Sequence, residues 1–333
     1  MRFAALLPGQ LSEKAGMGEA LASAYPYVAS WFGEVRERSG VDVPAVFFGE
    51  GRSDLHDDLP AQVGVFAVSV AVLDVLATEH RLAPAACAGY SLGTYAAFVG
   101  AGVLDRHVAL DVILEAERLL TERAVAGAMG FVIGVPEAEV LADLDRLGCD
   151  RNEIAIGNVN AAQQVVLTGR RELVLRALDH LSRRALRAEM LPLGWPMHSP
   201  LLEPVTDGLA DYVAREVRMT WPGRAVLYAP MLGGVVRSEE EARKVLGLQI
   251  SRPSRWSDVL AAMAAAGESR FAEAGPGDIL SRMHRWTLRR SKADVLEEPA
   301  GIARFAADPG ASPDRAGNGD AARVETGDTK ETT

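Results

Sequence analysis

The chain has 333 residues, 48% of them hydrophobic and 24% charged, a balance that suits a folded globular protein and excludes wholesale disorder. Its net charge of −10, from 35 basic and 45 acidic residues, argues against a general nucleic-acid binder. With only Cys87 and Cys149, neither a disulfide scaffold nor a cysteine-based zinc site is expected, and a reducing cytoplasm is.

In chain order, Phe3 to Leu7 is a short apolar run that ends at Pro8-Gly9, which reads as a buried strand and a turn. The run is shorter than the roughly 7–15 apolar residues of a secretory signal, so none is expected. Residues 17–38 and 60–80 carry helical patterns. The long apolar stretch from Val63 to Ala77 contains Ser69 and Asp74. It falls short of the roughly 20 residues that cross a bilayer, so it is read as a buried helix, with no membrane association. Residues 84–88 form another short apolar run. It leads into Gly89-Tyr90-Ser91-Leu92-Gly93, and small apolar residues from Thr94 to Val103 follow as a buried helix.

The pattern changes near residue 126. Strands are expected at 129–135, 154–158, 164–168 and 188–192, with helices over 136–147 and 172–187. This β-α-β-β-α-β order is that of a ferredoxin-like unit. The fold class read from the sequence is therefore α/β: a large α/β-hydrolase-like domain with a parallel sheet, residues 1–125 and 193–306. A small ferredoxin-like α+β subdomain, residues 126–192, is inserted into it. Further strands of the large domain are expected at 225–228 and 270–274. Residues 307–333, rich in Asp, Gly, Ala, Thr and Glu, are expected to form a disordered acidic tail.

Ser91 is the leading candidate for chemistry. Glycines on both sides permit a sharp strand-to-helix turn that lifts the hydroxyl clear of the sheet and aims a helix N-terminus at it. A structural Gly-x-Ser-x-Gly loop is the alternative. A serine nucleophile needs a base, and there are six histidines. His80 and His180 fall on polar helix faces, His56 in an acidic loop and His107 among charges. His198 lies in Gly194-Trp195-Pro196-Met197-His198-Ser199-Pro200, a proline-bounded loop free of helix constraints. From the residues alone, a loop histidine of purely structural role is the better reading. Arg282, His284, Arg285, Arg289, Arg290 and Lys292 form a basic cluster on an otherwise acidic chain. It reads either as a solvated helix face or as a docking face for an acidic partner.

Several ordered blocks resemble the malonyl-CoA:acyl-carrier-protein transacylases and the related acyltransferases of polyketide synthesis. Leu7-Pro8-Gly9-Gln10 with Gly16-Met17-Gly18, the Gly89–Gly93 block, and Gly157-Asn158-Val159-Asn160 with Gln164–Gly169 match in order. So do His198-Ser199-Pro200, Gln249 with Pro253, Arg255 and Trp256, and Glu273-Ala274-Gly275-Pro276-Gly277. The resemblance spans about residues 3–290. It implies ping-pong acyl transfer by a Ser91–His198 dyad, with backbone N–H groups of Gln10 and Leu92 as oxyanion hole. A backbone carbonyl near Gln249 would orient His198. The implied partner is an acyl carrier protein, whose phosphopantetheine arm (or CoA) carries the acyl group; no bound cofactor or metal is implied, and a monomer is expected.

The departures from the family pattern concern the acyl pocket, for which Tyr90, Ala116, Asn160, Trp195 and Met197 are the candidate residues. Malonyl-specific members carry an arginine twenty-five residues after the nucleophile, where this chain has Ala116. Arg118 should face away, since two residues turn a helix by about 200°. Tyr90 replaces a histidine, Trp195 to Met197 replace the usual extender-unit residues, and Leu11 replaces a glycine. The expected substrate is thus a non-malonyl acyl group, aminoacyl or dipeptidyl in the macrolactam pathways of antibiotic biosynthesis. A malonyl transacylase, a proofreading acyl-carrier hydrolase of the same fold and a non-catalytic carrier scaffold are the alternatives. Because acyl carrier proteins are acidic, Arg282 and Arg285 are the candidate docking residues.

Overall fold

A computed structural model of the chain describes residues 2–49, 55 and 58–308. Strand β1 (Ala4–Leu7) is buried along its whole length. The helical pattern expected over 17–38 divides into α1 (Glu19–Ala24) and α2 (Pro26–Ser39). Pro26 is the cause: the residue before a proline avoids helical geometry, and Tyr25 is extended at φ −129°. After the short α3 (Val43–Phe47), α4 (Asp58–His80) is apolar on all sides. It has the length of a membrane span, yet 83% of its apolar window is buried inside the fold, as expected for a core helix.

Next come β2 (Ala86–Gly89), α5 (Gly93–Gly100) and α6 (Arg106–Arg123), whose N-cap Asp105 accepts from the His107 N–H. The middle of the chain is β3 (Ala128–Ile133), α7 (Glu137–Arg146), β4 (Ile154–Ala161), β5 (Gln164–Gly169), α8 (Arg171–Ser182) and β6 (Arg187–Met190). The rest is α9 (Glu203–Glu216), β7 (Val226–Ala229), β8 (Gly234–Val235), α10 (Glu239–Leu248), β9 (Ser254–Arg255), α11 (Trp256–Ala265), β10 (Phe271–Glu273), α12 (Ile279–Thr287), β11 (Ala293–Val295) and α13 (Pro299–Ala307).

Two sheets result. The larger has the order β11-β10-β1-β2-β7-β8, with every pair parallel except β7–β8. Its inner strands β1, β2 and β10 are short and buried on both faces, as a parallel sheet covered by helices requires. In register, Leu7 lies beside Gly89, so β1 and β2 end together. The crevice beyond the carboxyl ends of such strands is where open α/β sheets place their sites.

The smaller sheet has the order β6-β3-β5-β4-β9. Its first four strands are antiparallel in the ferredoxin-like order and carry their own core, which includes Val132, Ile154, Val165 and Leu178. The fifth is a departure from the expected division of the chain. Residues 254–255, expected in the large domain, pair in parallel with Asn158 and Val159 of β4 and cover its open edge. Arg255 then reaches α7, donating to Glu137 at 3.0 and 3.3 Å, and so ties the small sheet to the segment that follows it. At the C-terminus Ala307 still belongs to α13. The rest of the expected acidic tail from residue 309, and His56, lie outside the described residues.

Candidate active site

The turn at Ser91 is built by close approach. A Cβ at Gly89 would lie 2.1 Å from the backbone of Gly93, and a Cβ at Gly93 would lie 2.1 Å from the carbonyl oxygen of Leu7. Only glycine lets β1, β2 and α5 meet this tightly. Between the glycines Ser91 is left-handed at φ 52° and Leu92 is the N-cap of α5. This is the strained strand-turn-helix geometry expected from the motif.

His198 comes from the other side, in the loop that precedes a short helical turn at Pro200–Leu202. It too is left-handed, at φ 62°, and only 3% exposed. Its Nε2 lies 2.9 Å from Ser91 Oγ. Its Nδ1 lies 2.9 Å from the carbonyl oxygen of Gln249 and 3.0 Å from that of Arg252. Carbonyls only accept, so the proton sits on Nδ1 and the Nε2 lone pair faces the serine hydroxyl. Burial lowers the imidazole pKa against the two carbonyls, which raise it. The neutral, proton-accepting form is therefore the resting one at neutral pH. Two carbonyls fill the place of a triad carboxylate; the one from Arg252 had no signal in the sequence.

The pair stands on a cavity of about 720 Å³, counted with its open mouth. Tyr90, Ala116 and Met197, expected at the pocket, line it, together with Gln10, Leu92 and Gln249. Two expectations need correction. Trp195 does not line the cavity: its ring packs against the main core, with Nε1 buried and unpartnered. Asn160 stands one shell back, its Oδ1 accepting from the Tyr90 hydroxyl at 3.0 Å, while Asn158 is the asparagine at the wall. The bulges of β4 between 156 and 158 and between 159 and 161 disturb the simple alternation that would place both alike. Gln62, Tyr95 and Met129 were missed by sequence reading. For Gln62 a signal existed, since a polar residue on a helix buried all round needs a polar partner.

A family model, the acyl transferase domain, matches residues 6–303. The chain belongs to the acyl transferase domain family. It is 30% identical over 309 residues to the malonyl CoA-acyl carrier protein transacylase of Escherichia coli (strain K12), covering 91% of this chain and 98% of that protein. It is also 30% identical over 308 residues to the polyketide biosynthesis protein ThaF of Burkholderia thailandensis, covering 91% of this chain and 25% of that protein. Among solved structures, a malonyl-transacylase in complex with a type II polyketide synthase acyl-carrier protein superposes with a TM-score of 0.85 at 28% identity. That match covers 91% of this chain and 98% of the other.

The polar wall of this acyltransferase is acidic behind and amide in front. Gln10 Nε2 donates to Asp58 Oδ1 at 2.8 Å and Gln62 Nε2 to Glu117 Oε2 at 3.0 Å. Burial, then the nearby Asp58 charge, raises the Glu117 pKa against its bond from Gln62. None of the described lining residues is lysine or arginine. Arg118 faces away from the wall as expected, pairing with Glu115 and Glu122.

The basic cluster is only partly a surface. Arg285 is exposed, and Arg282 is exposed but paired with Asp278 at 2.6 Å. His284 does not belong to that face, contrary to the sequence reading: it is fully buried, with its ring 4.6 Å from that of Phe271 and its Nε2 on Ser291 Oγ at 2.8 Å. The amphipathic turn of α12 that exposes its arginines turns His284 inward. Trp286, 69% exposed, stands beside Arg285 instead.

Proposed function

We propose that this acyltransferase moves a non-malonyl acyl group, aminoacyl and dipeptidyl groups included, between acyl carrier proteins through a Ser91 acyl-enzyme. The single observation that carries the reading is the Ser91–His198 contact of 2.9 Å on a cavity with no lysine or arginine in its described wall. In the first half-reaction Ser91 Oγ attacks the thioester carbonyl as His198 Nε2 takes the hydroxyl proton. The N–H groups of Gln10 and Leu92, neither engaged in a hydrogen bond among the described residues, receive the oxyanion. Collapse breaks the carbon–sulfur bond, and the leaving thiolate takes the proton from His198. In the second half-reaction the phosphopantetheine thiol of an acceptor carrier gives its proton to His198 and attacks the acyl-serine; collapse breaks the ester carbon–oxygen bond, and Ser91 Oγ takes the proton back from His198. The setting is the cytoplasm, which suits the free thiols of Cys87 and Cys149.

A malonyl group would bring a carboxylate against Glu117 and Asp58 with no fixed cation to receive it, at a cost of several kcal/mol in a desolvated pocket. The relatives named as malonyl transacylases make malonyl the rival substrate. The test is mass spectrometry of Ser91 after incubation with malonyl and with neutral acyl thioesters. Slow malonyl loading beside faster neutral loading is expected, and Ala116→Arg should restore part of the malonyl rate through a bidentate pair. Fast malonyl loading by the unaltered protein refutes the substrate reading. Free acid released without an acceptor carrier would instead reveal a hydrolase.

A further inference from the structure

We propose that the wall of the acyl cavity formed by the start of α4 and by α6 binds a protonated amine on the acyl chain, through Gln62 and Gln10 backed by Glu117 and Asp58. This rests on the reading of the Ser91 site as one that loads non-malonyl acyl groups.

Two side-chain amides at this wall are held in a single orientation. A carboxylate can only accept hydrogen bonds, so the amide that meets it must present its NH₂ branch. Glu117 fixes Gln62 in this way and Asp58 fixes Gln10. The opposite branch of each amide, the Oε1 carbonyl, is then the one left over. Neither Oε1 accepts a hydrogen bond from any described residue. Gln62 is only 5% exposed and lines the cavity, so the cavity is where its spare acceptor can be answered. Had arginine or lysine stood in place of the carboxylates, both amides would have turned round and offered donors.

A second, separate feature has the same sense. Tyr95, 3% exposed, lines the cavity, and its buried hydroxyl makes no hydrogen bond of acceptable geometry; the Gln249 side chain is its polar neighbour. The cavity therefore has unanswered oxygens on an otherwise largely apolar wall. An ammonium offers three donors and no acceptor, and two carboxylates one hydrogen bond behind the wall supply its counter-charge. Burial and the Asp58 charge raise the Glu117 pKa, and an ammonium in the cavity would offset both. A carboxylate-bearing acyl group would meet lone pairs, and a plain alkyl chain would leave them unanswered.

The experiment compares three N-acetylcysteamine thioesters on the full-length protein at neutral pH: 3-aminobutanoyl, butanoyl and malonyl. The readout is the rate of Ser91 acylation by mass spectrometry. The amine should load about tenfold or more faster than butanoyl, the discrimination expected for hydrogen bonds to a charged group. Glu117→Gln, which keeps the shape and removes the charge, should cut the amine-to-butanoyl ratio to about threefold or less, and Asp58→Asn should lower it as well. Should Glu117→Gln lose butanoyl loading too, its fold is damaged and Asp58→Asn decides. Equal loading of amine and butanoyl with slow malonyl overturns this inference and leaves the non-malonyl reading standing. A ratio unmoved by either substitution also overturns it. Malonyl as the fastest substrate overturns both.

Discussion

Replacing His198 by alanine separates what the imidazole does for the reaction from what it does for the fold. It removes the acceptor that faces Ser91 Oγ at 2.9 Å and the Nδ1–H shared by the carbonyls of Gln249 and Arg252. The Gln249 carbonyl keeps a second donor, the Arg252 N–H at 3.3 Å. One buried acceptor thus loses its partner, worth about 1–3 kcal/mol, and the other is only weakened. A cavity the size of the ring adds to the loss, so the total should be about 2–4 kcal/mol. That lies below the roughly 5–15 kcal/mol that hold a typical domain, and the variant should fold. Loss of a positioned base should slow Ser91 acylation by about 10²–10⁴. The pH profile adds a sign. Burial lowers the His198 pKa below its ordinary 6.5, so acylation by the unaltered protein should hold to lower pH than an ordinary imidazole allows and fall on further acidification. In His198→Ala that acid limb should vanish. The assay is acyl-Ser91 formation by rapid quench and mass spectrometry, with urea denaturation alongside. Acylation by a folded His198→Ala within tenfold of the unaltered rate, or persistence of the acid limb, refutes the assignment of His198 as base.

Gly93→Ala should destabilise by about 3 kcal/mol or prevent folding, because its Cβ has no room 2.1 Å from the Leu7 oxygen; the urea midpoint measures it. Burial pushes the His284 pKa down to about 4, so the neutral ring favours the folded state fully above pH 6.5 and this contribution is lost as pH falls towards 4. The loss should be about 2–3 kcal/mol, and His284→Gln should flatten that part of the stability–pH curve. Arg285→Glu should raise KM for an acyl carrier several-fold, and by more than for a small thioester, with the difference shrinking in high salt. Equal effects on both substrates would remove Arg285 from docking.

Much of the fold was legible because its signals are local. The short apolar runs before Pro8 and Gly89 became β1 and β2, and the alternating segments after residue 126 became the antiparallel sheet. Ser91 was legible for the same reason, since the paired glycines state their own geometry. What could not be read depends on contacts between distant segments. Arg252 offers a main-chain carbonyl, which no side-chain pattern announces. The strand at 254–255 has two residues and exists only because the edge of β4 is open. Trp195 was expected at the pocket because it stands where the related acyltransferases carry their extender-unit residues, but its side chain is partly buried against the main core instead. His284 looked basic by its neighbours, and one step around α12 buried it.

The backbone of the site shows why its geometry needs the whole fold. Among the described residues, four non-glycine positions have left-handed φ: Leu11, Arg81, Ser91 and His198. Three of them line the catalytic cavity. Each such residue costs about 1–2 kcal/mol, and persists only where its surroundings over-determine it. Ser91 is clamped by the Gly89–Gly93 contact, and His198 by its N–H to the Ile250 carbonyl and by the two carbonyls on Nδ1. Leu11 donates its N–H to Glu13 at 2.7 Å. There the family pattern has glycine, which would occupy φ 75° without strain. A leucine at this position sets its side chain against the cavity, so the same local strain that opposes folding narrows the space open to the acyl chain. The acyl selectivity proposed above would then rest on backbone strain and amide orientation as much as on the residues that a motif names.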